Sequence, residues 1–134
     1  MKVKKNNKGF SLTELLVVIV VIGILILLAM PKFSSVVTKA KETEAKIMLK
    51  HLHSLQQAYF YEHDTYSMDL LQIGFEQEKL VTEGGKARYK VQIIKADNYG
   101  YLAEATAVVD FDKDGIFNIW TIDQEGNPVQ KVMD

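Results

Sequence analysis

The chain has 134 residues, enough for one small domain with an appendage and too few for two independent cores. Its 48% apolar and 25% charged content is that of a globular protein, and 16 basic against 17 acidic side chains give a net charge that predicts no nucleic-acid binding. No cysteine is present, which excludes disulfides, thiolate metal sites and cysteine nucleophiles.

The charge is unevenly placed. Lys2, Lys4, Lys5 and Lys8 put four positive charges into the first nine residues, and the remainder carries 12 basic against 17 acidic groups. From Leu15 to Met30 the chain runs LLVVIVVIGILILLAM without a charge or a hydrogen-bonding side chain. Extended back to Phe10, this stretch would span roughly 31 Å as a helix, about one hydrocarbon thickness. The preceding lysines predict a cytoplasmic N-terminus, with everything after Pro31 outside the cytoplasm. A cleaved secretory signal is a weaker match, because Ser11, Thr13 and Glu14 interrupt it and only Leu27-x-Ala29 follows as a cut site. A simple signal anchor leaves Glu14 unexplained, since an acid one turn into an apolar segment is costly and points to function.

The stretch Lys8-Gly9-Phe10-Ser11-Leu12-Thr13-Glu14-Leu15-Leu16, with the apolar run and Pro31 behind it, resembles the N-terminus of type IV prepilins. Type II secretion pseudopilins carry the same signal. The resemblance implies cleavage between Gly9 and Phe10 by a prepilin peptidase, N-methylation of Phe10, and Glu14 as the fifth residue of the mature chain. It also places Gly23 and Pro31 where the family loosens its helix. The close match covers residues 8 to about 33. A looser likeness continues through Lys41–Lys46, Gln57–Phe60, Thr65-Tyr66 and Ile73-Gly74-Phe75. The C-terminal disulfide of many pilins has no counterpart in a chain without cysteine. The implied chemistry is a charge pairing: cleavage creates an amine at Phe10 in an apolar region, and Glu14 is its matching acid, within one helix or between staggered subunits.

After Pro31 the pattern becomes amphipathic. Phe33, Val37, Ala40, Ile47, Met48, Leu52, Leu55 and Tyr59 predict one buried face, with Lys39, Lys41, Glu42, Lys46 and Lys50 on the opposite surface. The proline predicts a kink or local melting, and the helix is expected to end near Glu62 before a turn at His63-Asp64-Thr65-Tyr66. Ser67 to Thr82 has no clean period and reads as a connecting loop, followed by a Glu83-Gly84-Gly85 turn. Strands are predicted at Arg88–Lys95, Tyr101–Asp110 and Phe117–Ile122, with a fourth at Val129–Met133. Core candidates in them are Val91, Ile93, Tyr101, Ala103, Val108, Phe117, Ile119 and Ile122, with Trp120 on the other side.

Four segments are thus expected: a cleaved basic leader at 1–9, a hydrophobic transmembrane and filament-core helix at 10–33, its amphipathic continuation at 34–63, and a loop plus antiparallel sheet at 64–134. The fold class is α+β, one long helix packed on a small antiparallel sheet.

No catalytic constellation is present. His51 and His53 are two apart on a helix and cannot share a metal, and His63 reads as part of a polar turn. Asp110-Phe111-Asp112-Lys113-Asp114-Gly115 matches the first half of an EF-hand loop, but Thr121 stands where the bidentate glutamate belongs. Two readings stay open: a calcium site in which Asn118 or Asp123 joins Asp110, Asp112 and Asp114, or an acidic hairpin turn. The expected function is a structural subunit, not an enzyme. It self-assembles into a type IV pilus or pilus-like filament from the inner membrane, through an assembly platform, to a periplasmic or extracellular position. A type II secretion pseudopilin is the alternative, and a single-pass envelope binding module the more distant one.

Overall fold

The computed structural model describes residues 8–133, so Lys2, Lys4 and Lys5 of the leader lie outside the described residues. The chain divides into two units, one up to Val37 and one from Thr38 onward. A single helix, α1 (Leu12–His63, 52 residues), contributes to both.

In the first unit α1 is apolar on all faces. Side chains from Leu15 to Leu28 that point in every direction are half or more exposed, so no core among the described residues covers them. Valine and isoleucine are modest helix formers in water, but in hydrocarbon a helix satisfies every backbone group internally. α1 is long and apolar enough to cross a membrane. Helical backbone continues through Gly23 and Pro31, so the expected local melting at the proline is not observed.

The second unit is the α+β head. α1 ends where Asp64 turns to a left-handed φ of 56°, its amide donating to the Phe60 carbonyl at 2.8 Å. A loop with a short 3₁₀ turn at Val81–Glu83 leads into four strands: β1 (Tyr89–Ala96), β2 (Tyr101–Ala107), β3 (Ile119–Asp123) and β4 (Val129–Val132). They form an antiparallel meander in the order β1-β2-β3-β4.

The centre of the sheet is built small. Tyr101, Ala103, Ala105 and Ala107 on β2 all face inward and are buried, flanked by Tyr89 and Val91 on β1 and by Trp120 and Ile122 on β3. Three methyl side chains in a row leave room for α1, which lays Ala45, Leu49, Leu52 and Gln56 into the same core at helical spacing. This buried face differs from the expected one. Val37, Ala40 and Ile47 are exposed, Ile47 by 64%, while Met48, Leu55 and Tyr59 pack only at the margin.

The opposite helix surface is not simply solvated either. Lys41 and Lys46 lie over the rings of Phe111 and Trp120, and Glu42 accepts from the side-chain amides of Asn118 and Gln130. On β3 the expected phase is corrected. Phe117 is exposed and Ile119 half-buried, while Asn118, Trp120 and Ile122 point inward, because pairing of Trp120 with Ala105 fixes the register. Val108 is half-buried beyond the end of β2.

Two glutamines do structural work that composition hides. Buried Gln56 holds the backbone of Ser67 from both sides, donating to its carbonyl at 2.7 Å and accepting its amide at 3.0 Å. Gln77 bonds β1 in the same way, accepting the Val91 amide and donating to the Tyr89 carbonyl, and so acts as a one-residue partner for that strand edge.

Candidate processing and assembly site

Residues Lys8 to Ser11 are non-helical and exposed, and α1 begins immediately after them. Gly9 has open space around it, and Phe10 is 89% exposed. The Gly9-Phe10 bond therefore lies in an exposed, non-helical stretch directly before α1.

One turn further on, Ser11 and Glu14 form a reciprocal pair. Ser11 N–H donates to Glu14 Oε2 at 2.8 Å, and Glu14 N–H donates to Ser11 Oγ at 3.2 Å. The first helical bond, from the Leu15 amide to the Ser11 carbonyl, closes at 3.2 Å. With Ser11 as the N-cap and Glu14 at the third helical position, this is a capping box. It satisfies two amides that a helix start otherwise leaves open, and it sets a carboxylate at the positive end of the helix dipole. Sequence reasoning gave Ser11 no role, although the Ser-x-x-Glu spacing carries the signal.

The loop between β2 and β3 brings Asp110, Asp112 and Asp114 together, with one carboxylate oxygen from each lying within 4.8 Å of the others. The two further ligands expected for calcium do not join them. Asn118 is fully buried, its side chain engaged by the Tyr89 hydroxyl and by Glu42. Asp123 stands at the far end of β3 beside Leu102, four residues and roughly 13 Å along the strand from Ile119.

The loop carboxylates already accept backbone N–H groups. Asp110 takes those of Lys113 and Gly115, Asp112 that of Asp114, and Asp114 that of Ile116. Desolvation raises the Asp110 carboxyl, but these amides outweigh it and hold the group below its usual range. The bonds account for the loop as an acidic turn, with Lys113 and Gly115 at positive φ.

The three histidines are dispersed as expected, but not equally solvated. His51 packs near Phe75 and His63 stacks on Tyr59. His53 is bonded to Tyr101 across 48 residues, a contact that no local pattern reveals.

Comparison with known proteins agrees with this geometry. A model of the prokaryotic N-terminal methylation motif matches residues 4–30. A second model, described as the type IV minor pilin ComP, DNA uptake sequence receptor, matches residues 31–115. The chain belongs to the type IV pilin family. The type IV major pilin protein PilA of Myxococcus xanthus (strain DK1622) is 38% identical to this pilin over 92 residues, which are 69% of the chain and 40% of that relative. The type IV major pilin protein PilE of Neisseria gonorrhoeae is 29% identical over 92 residues, 69% of the chain and 52% of the relative. The pilin thus spans about half or less of the length of these relatives.

Proposed function

We propose that this pilin is the structural subunit of a type IV pilus or pilus-like filament. A prepilin peptidase cuts between Gly9 and Phe10, the new amine at Phe10 is methylated, and the subunit waits in the inner membrane with its N-terminus on the cytoplasmic side. An assembly platform then transfers α1 from lipid into a filament core, where Gly23 and Pro31 are the positions at which the helix loosens.

The observation that carries this reading is the methylation-motif match over residues 4–30, lying on an exposed Gly9-Phe10 bond directly before a capped apolar helix. In that arrangement Glu14 Oε2 takes the Ser11 amide, and Oε1 has no partner among the described residues. In the processed subunit Oε1 is then the oxygen left to pair with an amine, that of Phe10 or that of a neighbouring subunit. Pairing the two charges as they leave water removes the cost of either one alone.

Intact-mass analysis of membrane-extracted protein tests the processing step. The expected species begins at Phe10 and is heavier than the bare chain by one CH2, the net gain when a methyl group replaces an amine hydrogen. A mature N-terminus at Met1 or just after Ala29 refutes it. Electron microscopy of sheared cell-surface material, with mass spectrometry of the filaments, tests assembly. The pilin reading stands ahead of the pseudopilin one because both relatives are pilus major subunits.

DNA uptake is a second reading, favoured by the family model matched over residues 31–115. Charge argues against it: from Thr38 onward the chain carries 11 basic and 16 acidic side chains, with no excess to release counterions from phosphate. The expected result is that filaments retain no duplex DNA at physiological salt, whereas salt-sensitive retention would establish the second reading.

A further inference from the structure

The tyrosines of the head differ in what their hydroxyls touch. Tyr89 donates to the side-chain oxygen of Asn118, an amide that takes up no proton, and the hydroxyls of Tyr61, Tyr66 and Tyr99 have no partner among the described residues. Tyr101, the first residue of β2, is 2% exposed, and its hydroxyl lies 2.7 Å from Nδ1 of His53 on α1, a basic nitrogen within proton-transfer reach. The imidazole is fixed from its far side. Nε2 faces the β3–β4 turn, where the Asp123 backbone accepts a hydrogen bond from the ring and a Cβ on Gly126 would stand 2.6 Å from Nε2. A neutral ring that donates through Nε2 leaves Nδ1 to accept the Tyr101 O–H. A charged ring donates through both nitrogens, and the phenol oxygen then accepts. The bond between the two side chains therefore holds with the proton on either one.

That property suits one-electron chemistry. A phenol loses an electron readily only when its proton leaves with it, because the phenol radical cation is a strong acid. Ionising Tyr101 beforehand is closed, since burial, then Tyr66 and Asp123, push its hydroxyl well above the usual range. Desolvation and Lys50 hold His53 below its ordinary value, so the ring is neutral and able to accept at neutral pH, and the Asp123 carbonyl and carboxylate steady the imidazolium once it forms.

We propose that Tyr101 and His53 form a proton-coupled redox pair that collects oxidising equivalents reaching the head. A one-electron oxidant, of the class of peroxyl radicals or high-potential metal complexes, takes one electron from Tyr101. In the same step the phenolic O–H breaks and an Nδ1–H bond forms, which leaves a neutral phenoxyl radical beside an imidazolium. A one-electron reductant reverses both transfers. No heavy atom has to move, because the new Nδ1–H donates back to the phenoxyl oxygen across the same contact.

The surroundings favour this place over others. Tyr66 is half-buried with its ring 5.1 Å from that of Tyr101, and it offers the electron a way out through one aromatic contact. A hole on Tyr66 has no base at hand and passes inward. Trp120 is a poorer sink: the Lys46 ammonium lies 4.5 Å over its ring and opposes positive charge there, and its Nε1–H has no partner among the described residues. Burial keeps the Tyr101 radical from coupling with another phenol, the fate open to exposed Tyr61 and Tyr99.

The test uses the full chain in detergent micelles, in a Tyr61→Phe/Tyr99→Phe background that removes the most exposed phenols. A flash generates tris(bipyridine)ruthenium(III), with persulfate as the terminal electron acceptor, at a pH well above the ordinary histidine value of about 6.5. Transient absorption and freeze-quench electron paramagnetic resonance follow the phenoxyl radical. The expected result is a long-lived radical that disappears in Tyr101→Phe and falls several-fold in yield in His53→Gln, whose amide accepts a hydrogen bond but no proton. The rate in the parent should be independent of buffer-base concentration, because the proton acceptor is inside the protein. An equal signal in Tyr101→Phe, or an undiminished one in His53→Gln, overturns the pair. Should either variant fail to fold, the parent alone decides: a rate that rises in proportion to buffer base means that the proton leaves to solvent and refutes the proposal.

Discussion

Asp97 shows how much of a turn one carboxylate can organise. Its Oδ1 accepts the amides of Tyr99 and Gly100 at 2.8 and 2.9 Å, its own amide donates to the Gly100 carbonyl, and Lys95 lies 3.6 Å away. The two amides, and after them Lys95, hold its carboxyl below the usual range even though desolvation opposes them. A depressed acid stabilises the fold above its unfolded value of about 3.9, and that contribution is lost as pH falls through the folded value. The amide resonances of Tyr99 and Gly100 should therefore titrate together below pH 4 and stay flat in Asp97→Asn; flat wild-type resonances would remove the carboxylate from the turn. Gln56 is the buried counterpart. Gln56→Ala strands the amide and carbonyl of Ser67 in the core, each costing roughly 1–3 kcal/mol when unsatisfied. A thermal melt of the full chain in detergent should show a clear drop for Gln56→Ala, whereas a shift within the range of surface substitutions would mean that water replaces the amide.

At the scale of elements, the decisive feature is the run of alanines on β2. Ala103 and Ala105 are fully buried beneath α1, so the helix and the sheet approach to the limit set by a methyl group. Ala105→Leu should push them apart and cost about 1–3 kcal/mol, seen as a lower melting temperature; an unchanged melt would mean that the interface has slack. Element type and order were legible in the sequence because periods of two and 3.6 alternate with Gly, Asp and Asn turns. The faces were less so. Phe117, Ile119, Trp120 and Ile122 put apolar side chains on both phases of one strand, and only pairing with Ala103 and Ala105 decides which phase is inside. Likewise α1 carries apolar residues at 45, 47, 48, 49, 52 and 55, more than one stripe can hold, and the sheet selects Ala45, Leu49 and Leu52. The surrogate strand contact from Gln77 left no pattern to read, since a lone glutamine in a loop is ordinary.

At the scale of the whole molecule, the methylation motif was legible because it is contiguous: the match over residues 4–30 takes in Gly9-Phe10, Glu14 and the apolar run as neighbours in sequence. The His53 contacts were not, because Tyr101 and Gly126 reach it from 48 and 73 residues away. The capping box at the head of α1 lies between these cases, and its helix-capping role for Glu14 can be separated by mutation from the proposed charge pairing. Glu14→Gln keeps an oxygen for the Ser11 amide, so the helix start survives while the charge is lost. Ser11→Ala keeps the charge and removes the hydroxyl that accepts the Glu14 amide, at a cost of about 1 kcal/mol. If pairing with the Phe10 amine drives assembly, Glu14→Gln should be inserted and cut normally yet give few filaments, because an unpaired buried charge costs roughly 3–5 kcal/mol. Ser11→Ala should be cut and assembled at near wild-type yield, with only a frayed first turn. Intact mass gives the processed fraction and sheared-filament yield gives assembly. Equal failure of both variants would assign the defect to the helix start, and wild-type yield from Glu14→Gln would show that the carboxylate's charge is dispensable.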